Sequence, residues 1–105
     1  MAWVYLVLAG IFEIGWPIGL KMAQEENTKF LGLAIALFFM AVSGYLLFTA
    51  QKTIPMGTAY AVWTGIGAAG TFIVGVMLYG DPSSLVRYLG VALIILGVIV
   101  LKMGS

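Results

Sequence analysis

Residues 2–20 read AWVYLVLAGIFEIGWPIGL, an apolar run broken by one charge, Glu13. A hydrocarbon core of about 30 Å is crossed by roughly 20 helical residues, so this run is long enough to span it. Working outward, the pattern returns three times. Residues 21–29 (KMAQEENTK) are polar and read as a loop, and residues 30–50 then carry no charge. Gln51, Lys52 and Thr53 with Pro55 make a short turn, after which residues 56–80 are again uncharged. Asp81-Pro82-Ser83-Ser84 marks another turn, and Arg87 and Lys102 flank the last apolar stretch at 89–101. The chain therefore reads as an all-α integral membrane protein with four transmembrane helices, at about 2–21, 30–50, 55–79 and 85–103. They form a single membrane domain over residues 1–105. Membrane β-strands alternate in segments of about ten residues, and these uninterrupted runs are too long for that.

Composition agrees. Of 105 residues, 63% are hydrophobic and 9% charged, with a mean hydropathy of +1.13; a soluble domain carries roughly 25% charged residues. Four acids against five bases give a net charge of +1, which excludes the basic patch of a nucleic-acid binder. The sequence has no Cys and no His. Disulfides, thiol nucleophiles, zinc or haem ligation and imidazole chemistry go with them. No metal or other cofactor is expected, and no enzyme, because no nucleophile–base pair is present. The first run starts without a basic residue, contains an acid and lacks a small-x-small cleavage site. It reads as a retained helix rather than a signal peptide.

Four spans put both termini on one side of the membrane. That side holds Lys52 and Lys102; the other holds Lys21, Lys29 and Arg87. Lysine and arginine set orientation, and a difference of one residue is almost no bias. Either one dominant loop decides the orientation, or the chain inserts both ways round.

Glu13 lies about 11 residues into its helix, roughly 17 Å deep and near the midplane. An ionised side chain there costs at least about 2.5–3.5 kcal/mol. No Lys or Arg occurs at comparable depth, and Lys21, about 12 Å along the axis, is expected to snorkel to the interface. Glu13 must then be protonated, face a wet cavity or face a bound cation, and a carboxyl that alternates among these states is a proton and cation site. Gly10, Trp16 and Pro17 share its helical face. The glycine permits close approach, the indole N–H can donate to a carboxylate, and the proline frees the Glu13 carbonyl.

On the second span Ser43 is the main mid-span hydroxyl, and a bond back to its own helix is its expected state. On the third, Tyr60, Trp63 and Thr64 form one aromatic and hydroxyl face, with Trp63 about 12 Å deep, better placed to line a pocket than a headgroup belt. Gly65, Gly67 and Gly70 follow, as a close-packing surface or a bend point. Gly90 and Gly97 make a small-residue stripe on the fourth span that suits a helix–helix contact. Four helices enclose little volume, so one Glu13 does not easily reach both membrane faces within a single subunit. Dimerisation, with the fourth span as its seam, would bring two copies together.

Along essentially its whole length the chain resembles the small multidrug resistance family. The resemblance rests on the four-span layout, on Glu13, on the run GTAYAVWTGIG at residues 57–67, and on the Gly90/Gly97 pair. Trp16, Met40, Lys102 and the phrase Gly19-Leu20-Lys21 resemble the guanidinium-exporting subtype; the drug-exporting subtype usually has Gly and Asn where Trp16 and Lys102 stand. Pro17, where that subtype generally has a small residue, and a slightly longer first loop are departures, and the proline bears on substrate range. The resemblance implies an antiparallel homodimer of oppositely inserted subunits in the bacterial inner membrane. It also implies cation/proton antiport at paired Glu13 side chains, with Trp16, Ser43, Tyr60 and Trp63 around the ligand. Gly10, Pro17, Met40, Gly65 and Gly67 are expected to line or gate the site.

Guanidinium suits this chemistry: its planar fork of N–H donors matches a carboxylate bidentately, and aromatic faces attract it. A promiscuous quaternary ammonium exporter on the same scaffold is the alternative reading. A proton-translocating ring subunit would need only a two-span hairpin, and a holin-like pore-former would need no deep acid.

Overall fold

The computed structural model describes residues 1–104. It is all helical: α1 (Ala2–Glu13), α2 (Gly15–Met22), a 3-10 turn (Glu26–Thr28), α3 (Lys29–Ala50), α4 (Met56–Tyr79) and α5 (Leu85–Met103). Together α1 and α2 make one membrane-length segment, Ala2–Met22, and four such segments are present among the described residues.

The first span is not one continuous helix. Pro17 has no N–H to give the Glu13 carbonyl, and helical regularity lapses at Ile14, between α1 and α2. The Ile14 N–H reaches the Ile11 carbonyl at 3.1 Å, three residues back. Its backbone angles, φ −65° and ψ −31°, remain right-handed. The chain is interrupted without unwinding, beside its only deep carboxyl.

The connections are tied down locally. Helix α2 carries Lys21 further than the polar loop reading suggests, to Met22. Thr28 Oγ1 then donates to the Met22 carbonyl at 2.7 Å and closes the turn. Helix α4 stops at Gly80, whose φ of 65° lies in the left-handed region that glycine tolerates. The next residue returns its N–H to the Gly75 carbonyl at 3.0 Å, so Asp81 is folded back along α4. Ser84 caps α5 by accepting from the Arg87 N–H at 3.3 Å.

In the packing the first span is central: α1 and α2 both lie on α3, α1 also lies on α4, and α5 leans on α4. The α2–α3 seam is backbone against backbone. A Cβ at Gly19 would stand 2.6 Å from the Ala36 nitrogen, and one at Gly32 2.5 Å from the Gly19 carbonyl oxygen. Small residues drive such close approach in lipid, where hydrophobicity gives helices no reason to associate. The apolar core joins Leu6, Ala50, Ile54, Ala59 and Val62. Helix α5 buries no residue, and most large apolar side chains of the bundle face outward.

Candidate functional site

Glu13 ends α1, half-buried, on the side of the first span that faces α4. Gly67 makes room for it: a Cβ there would lie 2.5 Å from Glu13 Cγ. The carboxyl opens into a cavity of about 350 Å³ whose walls include Pro17, Thr64, Gly67, Thr71 and Phe72. No ion pair or hydrogen bond to Glu13 occurs among the described residues. No group of acids that could hold a metal occurs there either. An anionic oxygen pair in a mostly apolar cleft, with room beside it, can take a proton or a small organic cation.

One turn before Glu13, a hydrogen-bonded chain joins three spans. Trp63 Nε1 donates to Ser43 Oγ at 2.8 Å, and Ser43 Oγ donates to the Ala9 carbonyl at 2.7 Å. This corrects the expectation that Ser43 bonds back to its own helix. Ser43 is fully buried and reaches across to α1, because both neighbouring helices come close enough to offer better-placed partners. Thr64 does what was expected of Ser43, donating to the Tyr60 carbonyl of its own helix at 2.8 Å. The Tyr60 and Trp63 rings are 5.4 Å apart, inclined by 56°, though Tyr60 is itself exposed.

The site residues read from the sequence thus fall into separate groups. Glu13, Pro17 and Gly67 share the cavity; Ser43, Tyr60 and Trp63 form the adjoining cluster. Trp16 is half-buried outside the cavity's walls, and Met40 is exposed on α3. Gly10 faces the Ile66 side chain, and Gly65 faces Val98 and Ile94 of α5. A Cβ at Gly90 or Gly97 would meet nothing within 4 Å, so their stripe is open. Sequence reasoning missed Thr71 and Phe72 as cavity walls. Thr71 was findable, since Thr64, Gly67 and Thr71 recur at helical spacing on one face.

A bundle of four membrane-length helices with a lone deep carboxyl facing its own cleft defines a small multi-pass membrane protein. Comparison identifies which kind. The sequence profile of the family described as Small Multidrug Resistance protein matches residues 1–94, and the chain belongs to that family. A protein of Yersinia pseudotuberculosis serotype I (strain IP32953) named "Guanidinium exporter" is 50% identical over 105 residues, covering 100% of both chains. An Escherichia coli (strain K12) protein of the same name is 44% identical, covering 100% of this chain and 99% of its own. A third, from Proteus vulgaris, is 43% identical with 100% of both covered.

Proposed function

We propose that this protein exports guanidinium and small substituted guanidiniums across the bacterial inner membrane in exchange for protons. It works as an antiparallel homodimer in which two Glu13 carboxyls form one shared site. The observation that carries the reading is the Glu13 cavity: a deep acid with no basic partner, seated against Gly67 with space beside it. The names of the relatives supply the substrate class.

Protons and guanidinium compete for the same carboxylates. Either one, once bound, permits the dimer to reopen on the other face, while the empty, charged site stays where it is. Two carboxyls per monovalent cation give two protons exchanged for each guanidinium. The hydrogen-bonded Ser43 and Trp63, with Tyr60, stand one turn away to orient Glu13 and pack on the ligand. Helix α5, with the open Gly90/Gly97 stripe, forms the seam between subunits.

The test is proton flux driven by a guanidinium gradient in vesicles containing the purified protein. Wild type is expected to couple the two fluxes and Glu13→Gln to abolish coupling; coupled flux in Glu13→Gln refutes the reading. A second expectation concerns pH. Lowering it fills the carboxylates with protons, so the apparent KM for guanidinium rises as pH falls; a KM that is flat or falls toward acid contradicts competition. A quaternary ammonium exporter is the second reading, favoured by Pro17 and Phe72 as apolar walls of the cavity. Tetraalkylammonium ions displacing guanidinium at similar concentration would select it.

A further inference from the structure

A second, smaller cavity of about 130 Å³ lies toward the membrane face, at Lys21 and Asp81. It adjoins the Glu13 cavity, with Pro17 and Thr71 as common walls, so the two line up as a groove between the first span and α4. Along α4 that groove follows Gly67, Thr71 and Gly75, each four residues from the next and so on one face. The two ends match in chemistry. Gly67 leaves room for the Glu13 side chain, and a Cβ at Gly75 would collide with the Asp81 carboxylate. Asp81 is brought there by its own backbone, whose N–H bonds the Gly75 carbonyl at 3.0 Å. Two carboxylates therefore sit against α4 eight residues apart, about 12 Å along the helix.

The outer end already holds a cation. Lys21 Nζ lies 5.8 Å from the centroid of the Tyr79 ring, and both residues line the cavity with Asp81. Lys21 and Asp81 form no ion pair with each other among the described residues. Midway, Thr71 makes no hydrogen bond among the described residues, which leaves its hydroxyl available to a passing N–H donor.

The geometry points to a second cation station in this groove: Asp81 and Tyr79 hold guanidinium at the membrane face before it moves to Glu13, and Lys21 competes for the same place. The inference rests on the antiport reading and adds a loading step to it. A guanidinium fits the outer pair as it fits the inner one, its N–H fork on the carboxylate and its plane on the ring. Lys21 is the intramolecular stand-in that keeps the station from retaining substrate. Substrate must displace the ammonium from the ring on arrival, and the ammonium returns when the substrate leaves for Glu13. Asp81, Tyr79 and Lys21 are specificity and loading residues that touch the cation, while Glu13 remains the site of exchange.

The test uses the full chain in vesicles and separates KM from maximal rate for guanidinium-driven proton flux. Asp81→Asn is expected to raise KM about three- to tenfold with little change in maximal rate, through loss of local attraction. That increase is expected to shrink at 1 M salt, where the screening length is about 3 Å. Lys21→Gln is expected to move KM the opposite way, downward about two- to fivefold, because it removes the competing cation. Tyr79→Leu raises KM about two- to fivefold and Tyr79→Phe leaves it near wild type, since the ring face is what matters. An unchanged KM in Asp81→Asn, or a KM that rises in Lys21→Gln, overturns the station. Should Asp81→Asn fail to fold, shown by its melting profile, the signs for Lys21→Gln and Tyr79→Leu decide. The wild-type and Glu13→Gln arms report separately on antiport: if they fail, the underlying reading is gone; if they hold while the outer variants are silent, only the station is gone.

Discussion

The first span has two working neighbours, and its two faces are built differently. Toward α3 it is sealed: Gly19 and Gly32 bring backbones together, and Ser43 reaches over to bond the Ala9 carbonyl. Toward α4 it is packed over its first turns, through Leu6 and Gly10, and opens from Glu13 on: Glu13 borders a cavity of about 350 Å³, and Pro17 and Thr71 are shared with a second. Both faces use glycine, with opposite results. On the α3 side its missing Cβ removes space between helices, and on the α4 side it makes space for an acid. A carrier that alternates between faces needs both, a fixed pair of helices and a groove beside them that can change width.

The contrast can be broken most severely at the seam. Gly32→Ala places its Cβ against the backbone of Ala23 and Gly19, which has no rotamer to yield. Overpacking of this kind costs about 3 kcal/mol or more, and we expect the protein to fail SDS-resistance or thermal-melting assays. Gly67→Ala places the same single carbon against the Glu13 side chain instead. That side chain can swing aside, so folding survives with a loss of about 1 kcal/mol. Transport is expected to fall about tenfold or more, because the carboxyl is displaced from its working position. Equal losses of stability in the two variants would show that the faces do not differ in kind.

Much of this was legible in the chain itself. The spans follow from uninterrupted apolar length, and Glu13 announces itself because a charge at that depth is costly and no basic residue shares the depth. The Tyr60, Trp63 and Thr64 face follows from helical spacing. The partner of Ser43 did not, because it lies 34 residues away on another helix, and a lone hydroxyl carries no mark of which neighbour will approach. Pro17 was expected to free the Glu13 carbonyl, yet that the irregularity would fall at Ile14 depends on how the helix closes around it. Asp81 read as a turn residue. Its return onto Gly75 depends on the left-handed backbone of Gly80, a property of the folded chain.

The finest distinction lies between two hydroxyls of similar depth. Ser43 Oγ accepts from Trp63 Nε1 at 2.8 Å and donates to Ala9 at 2.7 Å, linking α1, α3 and α4. Ser43→Ala would strand the indole N–H and cut the tie to the Ala9 carbonyl of α1, and we expect a loss of about 1 kcal/mol, within the range for interhelical bonds in bilayers. The freed indole should also change its fluorescence. Thr64 bonds the Tyr60 carbonyl, which helix α4 already engages. Thr64→Val leaves no helix without a tie, keeps the side chain's shape, and is expected to shift stability by about 0.5 kcal/mol or less. The pair therefore isolates the cost of a bond between spans from the cost of losing a hydroxyl. If Thr64→Val proved as destabilising as Ser43→Ala, the α4 wall would be as rigidly fastened as the α3 seam. The groove beside Glu13 would then have no freedom to open and close.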